Sequence, residues 1–368
     1  MGLLGLSGCG SPSSASVEMS SQTELVKTGS MELQYAENFT VDYYEDGYKM
    51  LTTLPDSKRY LIVPEGQPVP RGLDEDVSIL QEPLQNIYLV ASGVMDMFAS
   101  VDAVDQIRFS GQKQENWYIQ TAKDAMAAGD MIYAGKYSKP DYELLVSEGC
   151  DLAIENRMIT HSPEVVEMLQ SFDIPVMIEY SSYEQHPLGK VEWVKFFGAL
   201  TGKEAEAEEA FAEQTEILEE VESGEKTGKT IAFFYVTSNG LIQVRQSTDY
   251  IPKLIELAGG RYIFENLEDS GSGRSTLNMQ VEDFYAGAKD ADILIYNSSI
   301  DGGVTTLDEL IGKCNILKDF KAVQEGQVYC TTNDMYQQSM AIGYLLQDMH
   351  TVLTDDDTAK LRYLFLLQ

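Results

Sequence analysis

Hydrophobic residues are spaced in three different ways along the chain. Residues 31–64 alternate apolar and polar positions, carry Tyr43, Tyr44, Tyr48 and Tyr60, and have Gly47 and Pro55 as turn signals. That pattern predicts a meander of short strands. Further on, short continuous apolar runs take over: Asn86–Ala91 (NIYLVA), Asp151–Glu155 (DLAIE) and Ile174–Glu179 (IPVMIE). Such runs belong to strands covered on both faces. Helix-spaced stretches separate them at Val94–Val101, Trp117–Ala128, Asp141–Glu148 and Pro163–Phe172. Alternating strands and helices predict a parallel-sheet α/β lobe.

Pro187 to Glu222 reads as mostly helix, with Pro187 in a first turn and Val191, Val194, Phe197 and Leu200 at helical spacing. Gly202 is a candidate break, and the acidic stretch beyond it reads as a solvated face. A second α/β pattern follows. Thr230–Thr237 and Asp292–Asn297 read as strands, and Tyr250–Ala258, closed by Gly259-Gly260, and Glu282–Lys289 as helices. Met335–Leu353 and Thr358–Leu367 are expected to be a helical end. The expected fold class is therefore α/β, with two parallel-sheet lobes joined by a long bridging helix. The divisions are 1–30 (leader remnant and tether), 31–185, 186–222 and 223–368. The lobes echo each other: Glu143 to Asn156 and Glu282 to Asn297 each run from an acidic residue through a short helix to an Asp-led strand and a terminal Asn.

Composition narrows the function. The 368 residues are 43% hydrophobic and 23% charged, enough apolar content for buried cores and against disorder as the main state. Lys and Arg number 26 against 59 Asp and Glu, a net charge of −33. That argues against a basic footprint for nucleic acid or for anionic lipid. No apolar run reaches the roughly 20 residues of a spanning helix.

Leu6-Ser7-Gly8-Cys9 fits a bacterial lipobox, in which the cysteine sulfur takes a diacylglycerol. Only Met1 to Gly5 precede it, with no Lys or Arg, so the precursor is expected to start earlier. Ser11 to Ser21, rich in Ser and Pro, reads as a flexible tether. A lipid on Cys9 would anchor the protein without spanning the membrane. Cys150, Cys314 and Cys330 form no CxxC pattern. Cys150 is expected to be a buried thiol, and pairing of Cys314 with Cys330 is left open.

Several segments resemble one family, the substrate-binding lipoproteins of ABC importers for ferric siderophores, haem and cobalamin. Pro140 to Glu155 resembles its first-lobe helix and strand. His186-Pro-Leu-Gly-Lys-Val-Glu-Trp193, with Gly198-Ala-Leu and Gly202-Lys, resembles the start of its bridging helix. Asp249 to Gly260 resembles its second-lobe helix and glycine stop. The resemblance covers about residues 31–350. It implies two lobes, a ligand between them, small closure, and a monomer on the outer face of a bacterial cytoplasmic membrane. The partners implied are an ABC permease dimer with its ATPase. It also implies that Glu143 and Glu282, by motif position, meet permease arginines, as charge-assisted pairs suit. As first-turn helix acids they would be unremarkable without that role.

Ligand residues are then expected in loops after strand C-termini, facing the crevice. In the first lobe these are Ser92, Trp117, Tyr118, Tyr137, Arg157 and Tyr183. In the second they are Arg245, Tyr250, Arg274, Asn297, Asn333 and Tyr336. Aromatic faces suit a macrocycle or catechol, and arginines suit carboxylates or an anionic chelate. The three histidines, His161, His186 and His350, fall on unrelated segments, so an intact iron- or cobalt-containing chelate is expected rather than a bare ion. No resident cofactor is expected. The alternative is an extracellular enzyme or chelatase on the same two-lobed fold. The chain has no GxSxG, HExxH or GxxxxGK[ST] motif, and Gly271-Ser-Gly273 reads as a loop carrying Arg274.

Overall fold

The computed structural model describes Met1 and residues 25–267, 275–300, 303–354 and 358–368. Cys9 and Arg274 lie outside the described residues. The first described elements form a five-stranded sheet in the order β1-β2-β3-β4-β5, made by Lys27–Ser30, Phe39–Tyr44, Lys49–Thr53, Lys58–Val63 and Val77–Gln81. Its first four strands are the antiparallel meander expected from alternation, and β5 adds in parallel to β4. One face presents Phe39, Val41, Leu51 and Ile62 to the main core. The other makes a small core of Tyr48, Met50, Leu61 and Val63.

The first α/β lobe alternates β6 (Ile87–Leu89), α1 (Val94–Ser100), β7 (Ile107–Ser110), α2 (Gln120–Ala128) and β8 (Ile132–Tyr133). A small hairpin of β9 (Gly135–Lys136) and β10 (Lys139–Pro140) leads to α3 (Tyr142–Ser147), β11 (Leu152–Asn156), α4 (Pro163–Ser171) and β12 (Val176–Glu179). The main sheet is parallel throughout, ordered β12-β11-β6-β7-β8. Strand order reverses between β6 and β11, where Ile154 faces Leu89. Open α/β sheets bind ligands outside the strand C-termini at such a point.

The bridge is a helix pair. His186 caps α5 (Pro187–Thr201) by accepting the Leu188 N–H at 3.2 Å, and Pro187 opens the first turn. Gly202 takes a left-handed conformation, φ 72°, and stops the helix. The chain then folds back as α6 (Glu204–Glu222). The two helices pack closely because Gly198 has no side chain: a Cβ there would stand 2.6 Å from Ala207 Cβ. Helix α6 buries Ala207, Phe211, Gln214, Leu218 and Val221 and turns its many glutamates to solvent, as its pattern suggested. Helix α5 is buried on every side from Pro187 to Leu200. The charges on it are therefore placed. Glu192 accepts N–H bonds from Gln34, Tyr35 and Ala36 at 2.8–2.9 Å, and Lys195 pairs with Glu208 at 2.8 Å.

The second lobe contains β13 (Thr230–Val236), β14 (Ile242–Arg245), α7 (Tyr250–Leu257), β15 (Arg261–Tyr262), β16 (Thr276–Met279), α8 (Val281–Ala288) and β17 (Ile293–Tyr296). It closes with α9 (Leu307–Lys313), α10 (Lys321–Gln324), β18 (Val328–Thr331), α11 (Ile342–Thr354) and β19 (Leu364–Leu366). Its sheet runs β16-β14-β13-β17-β18-β19, with β15 beside β13. The β13-β17-β18 centre is parallel, and β14, β16 and β19 are antiparallel additions. The echo between lobes has a structural counterpart. Asp151, ahead of β11, accepts the Asn86 N–H at 2.8 Å, and Asp292, ahead of β17, accepts the Thr230 N–H at 2.7 Å. Each aspartate pins the start of the neighbouring central strand.

The C-terminal end corrects the expected helix over Thr358–Leu367. A short 3-10 turn at Thr358–Lys360 is followed by strand β19. The cause is Asp348 of α11, whose carboxylate accepts the N–H groups of Arg362, Tyr363 and Leu364 at 2.6–3.0 Å. That holds the segment extended, and the edge of β18 pairs with it. The expected helix from Met335 begins only at Ile342, after a 3-10 turn at Ser339–Ala341. Cys150 is half-buried and burial pushes its thiol up to about 12, while Cys314 and Cys330 are buried and not joined to each other.

One apolar core runs without interruption from the N-terminal sheet through α1 and α5 to α7 and α11. The lobes are also tied directly. Gln337, fully buried, donates to Asn116 O and accepts the Tyr118 N–H, both at 2.9 Å. Asp96 of α1 accepts the Met340 N–H at 2.7 Å. A wide hinge motion would have to break this shared core.

Candidate functional site

A cavity of about 510 Å³ lies between the lobes, at the switch point of the first sheet. Three strand ends of the first lobe feed it. The turn after β6 supplies Ala91, Ser92 and Gly93. After β11, Asn156 accepts the Met158 N–H at 2.9 Å and starts a 3-10 turn, which sets Arg157, Met158, Thr160 and His161 along the wall. After β12, Glu179 accepts the N–H and hydroxyl of Ser181 at 2.8 and 2.5 Å, ahead of Ser182 and Tyr183. The Arg157 guanidinium lies over the Tyr183 ring, 4.6 Å from its centre.

The second lobe contributes Arg245 from the end of β14 and Tyr250 from the start of α7. Asp249 fixes both. It caps α7 by accepting the Ile251 N–H at 2.9 Å and pairs with Arg245 at 3.4 Å. The Tyr262 hydroxyl donates to Arg245 O and accepts the Arg245 N–H, at 2.8 and 3.0 Å. Tyr336, Ser339 and Ser275 complete this side. From α5 comes Lys190, its ammonium 4.8 Å from the centre of the Tyr250 ring.

Burial dominates the electrostatics. It pushes the Glu179 carboxyl up against the opposing Ser181 hydrogen bonds and the nearby Lys190 charge. It pushes Asp249 up despite Arg245. Burial works against the Arg245 charge too, but Asp249, Tyr250 and Tyr262 outweigh it and hold the guanidinium above its usual range. Three cationic side chains thus meet at one cavity of a strongly acidic protein, alongside three tyrosines and several hydroxyls. Such a lining offers charge-assisted hydrogen bonds and ring faces to whatever enters the cavity.

Of the residues singled out in the sequence, Ser92, Arg157, Tyr183, Arg245, Tyr250 and Tyr336 line this cavity. Five others do not, and each has a local reason. Trp117 is buried in the core, where its indole N–H donates to Ser110 Oγ at 3.0 Å. Tyr118 is exposed at the lobe contact and offers its backbone to Gln337. Tyr137 packs against the outer core of the first lobe. Asn297 is buried in a narrow recess behind Arg245. Asn333 stands against Gly303, where a Cβ would come within 2.8 Å of its Oδ1. The sequence reading missed Lys190 and Glu179, which sit on regular elements rather than loops. Glu143 and Glu282 are exposed in the first turns of α3 and α8.

His161 reaches the cavity wall without the other histidines. His186 stacks on Tyr35 at 4.4 Å, and His350 Nδ1 lies 2.9 Å from Ala258 O. Among the described residues, no group of three or more His, Cys, Asp and Glu is placed to hold a metal ion.

Two α/β lobes, a buried helical bridge and a lined crevice at a switch point define a two-lobed solute-binding protein. The chain belongs to the periplasmic binding protein family, whose sequence profile matches residues 90–335. The N-terminal sheet β1–β5 lies outside that match. An uncharacterized lipoprotein of Methanocaldococcus jannaschii is 24% identical over 351 residues, covering 87% of this chain and 81% of its own. The periplasmic haem-binding protein of Vibrio cholerae superposes with a TM-score of 0.58 at 14% identity, over 73% of this chain and 98% of its own. A protein of the Fe3+-hydroxamate transport system of Saccharomonospora viridis gives 0.55 at 16% identity, over 73% and 93%. No helix of the described residues is long and apolar enough to cross a membrane.

Proposed function

We propose that the protein is the extracytoplasmic receptor of an ABC importer. It captures an intact metal chelate of the iron-siderophore, haem or cobalamin-like class between its lobes and delivers it to the permease. The observation that carries this reading is the interlobe cavity, lined by Arg157, Arg245, Tyr183, Tyr250 and Tyr336 at a strand switch point. The family membership and the named ligands of the structural neighbours support it. A lipid on Cys9 would hold the protein at the outer membrane face, and a monomer suffices, because the cavity is built within one chain. In this reading the chain binds, and the transporter's ATPase supplies the energy.

Glu143 and Glu282 are the proposed docking acids, one exposed on each lobe. The double variant Glu143→Lys/Glu282→Lys tests this in proteoliposomes containing the cognate permease and ATPase. Chelate binding should stay within about twofold of wild type, since both residues lie away from the cavity. Stimulation of the ATPase should fall at least about tenfold, the scale of a lost charge-assisted contact. Undiminished stimulation would remove both residues from the docking surface.

A further inference from the structure

Lys190 is an unusual lysine. It stands in the second turn of α5, is only 5% exposed, and faces the cavity. Among the described residues no carboxylate lies within ion-pair distance of its ammonium, which stands over the face of Tyr250, 4.8 Å from the ring centre. Three acids act on it through space, the half-buried Asp96 and the buried Glu179 and Asp249, and each has hydrogen-bond partners of its own. Asp96 accepts the Met340 N–H, Glu179 holds Ser181, and Asp249 holds Arg245 and the Ile251 N–H. An aromatic face offsets only part of the cost of burying a cation and satisfies none of its three N–H donors geometrically. Ser339 adds a second incomplete group: its Oγ is buried on the same cavity without a hydrogen-bond partner.

We propose that Lys190 selects the ligand by charge: the cavity takes a small molecule bearing an anionic oxygen group, such as a catecholate or carboxylate chelate, which completes Lys190 and the neighbouring Arg245. The inference rests on the reading of the cleft as a chelate site, and it narrows that reading to anionic chelates. An uncharged trihydroxamate complex would leave the ammonium as underpaired as it is in the empty cavity. Arg157 and Tyr183 at the rim then hold the outer part of the ligand.

Titration calorimetry separates the two claims. The probes are a trianionic ferric tris-catecholate, an uncharged ferric trihydroxamate and metal-free citrate, each against wild type, Lys190→Met and Lys190→Arg. The wild type should bind the tris-catecholate at least about tenfold more tightly than the trihydroxamate. Lys190→Met should lose about 30-fold or more for the tris-catecholate, and Lys190→Arg should recover part of it. Melting curves without ligand report whether each variant is folded, and the wild-type comparison of charged with uncharged probes needs no variant. Equal wild-type affinity for the two ferric complexes, or an undiminished tris-catecholate affinity in folded Lys190→Met, overturns the charge selection while leaving a chelate receptor. Lys190-dependent binding of citrate with no chelate bound keeps the charge selection and removes the chelate reading. Binding of no probe removes both.

Discussion

Replacing Trp193 with alanine should cost about 3–5 kcal/mol of folding stability, the range for emptying a buried aromatic site. The side chain is completely buried in α5, in ring contact with Phe39 at 4.9 Å and Phe196 at 5.0 Å. Its indole N–H also donates to Glu184 Oε1 at 2.8 Å, and Glu184 in turn accepts the N–H groups of Glu37 and Asn38. The substitution therefore opens a cavity and removes one of the donors on a buried carboxylate. It loosens the N-terminal sheet and the bridge together. Since domains are stable by only about 5–15 kcal/mol, urea unfolding should show a large shift in midpoint. A loss below about 1 kcal/mol would mean that α5 is not the element on which the two lobes and the sheet converge.

Glu155 should give an effect of similar size and opposite sign. It lies on β11, wholly buried, and neither carboxyl oxygen has a hydrogen-bond partner. Burial pushes its pKa up to about 8. In the unfolded chain it returns to its ordinary value, 4.5. Below that pH both states carry the proton, and the group's contribution to stability no longer changes with pH. Between the two values unfolding releases a proton, so stability falls by about 1.4 kcal/mol per pH unit. Above the folded value the penalty is complete. Glu155→Leu should thus be more stable than wild type, and its advantage should grow by about 3 kcal/mol from pH 4.5 to 7 and then level off near pH 8. Paired denaturant titrations across that range check it. An advantage independent of pH would show that Glu155 is ionised in the folded protein.

The sequence revealed elements where burial on both faces leaves a continuous apolar run. Leu152–Asn156 and Thr230–Val236 are central strands and read as such. Strand β7, Ile107–Ser110, did not, because Arg108 interrupts it and turns out to donate to Gly129 O and Asp130 O. Strands β14 and β16 are antiparallel additions with polar alternate positions, such as Gln243 and Asn278, which cross-bond at 3.2 Å. Strand β19 depends on Asp348, a residue of another element, so no local pattern could announce it.

The site followed the same division. The rule that ligands sit past strand C-termini brought Ser92, Arg157 and Arg245 to the cavity wall. Aromatic composition could not tell which way a ring points, and Trp117 points into the core. Lys190 was hidden because a lysine in a helix usually faces solvent, whereas α5 is enclosed on every side.

The central claim is that the interlobe cavity takes an intact chelate. Native mass spectrometry of the protein mixed with ferric siderophores of catecholate and hydroxamate type, haem, cobalamin, Zn²⁺ and Mn²⁺ tests it most directly. The account predicts a single adduct per chain whose mass is that of an unaltered chelate, absent from the Arg245→Ala/Tyr250→Ala variant. Adducts of the free metal ions alone, or a chelate released with a changed mass, would contradict it.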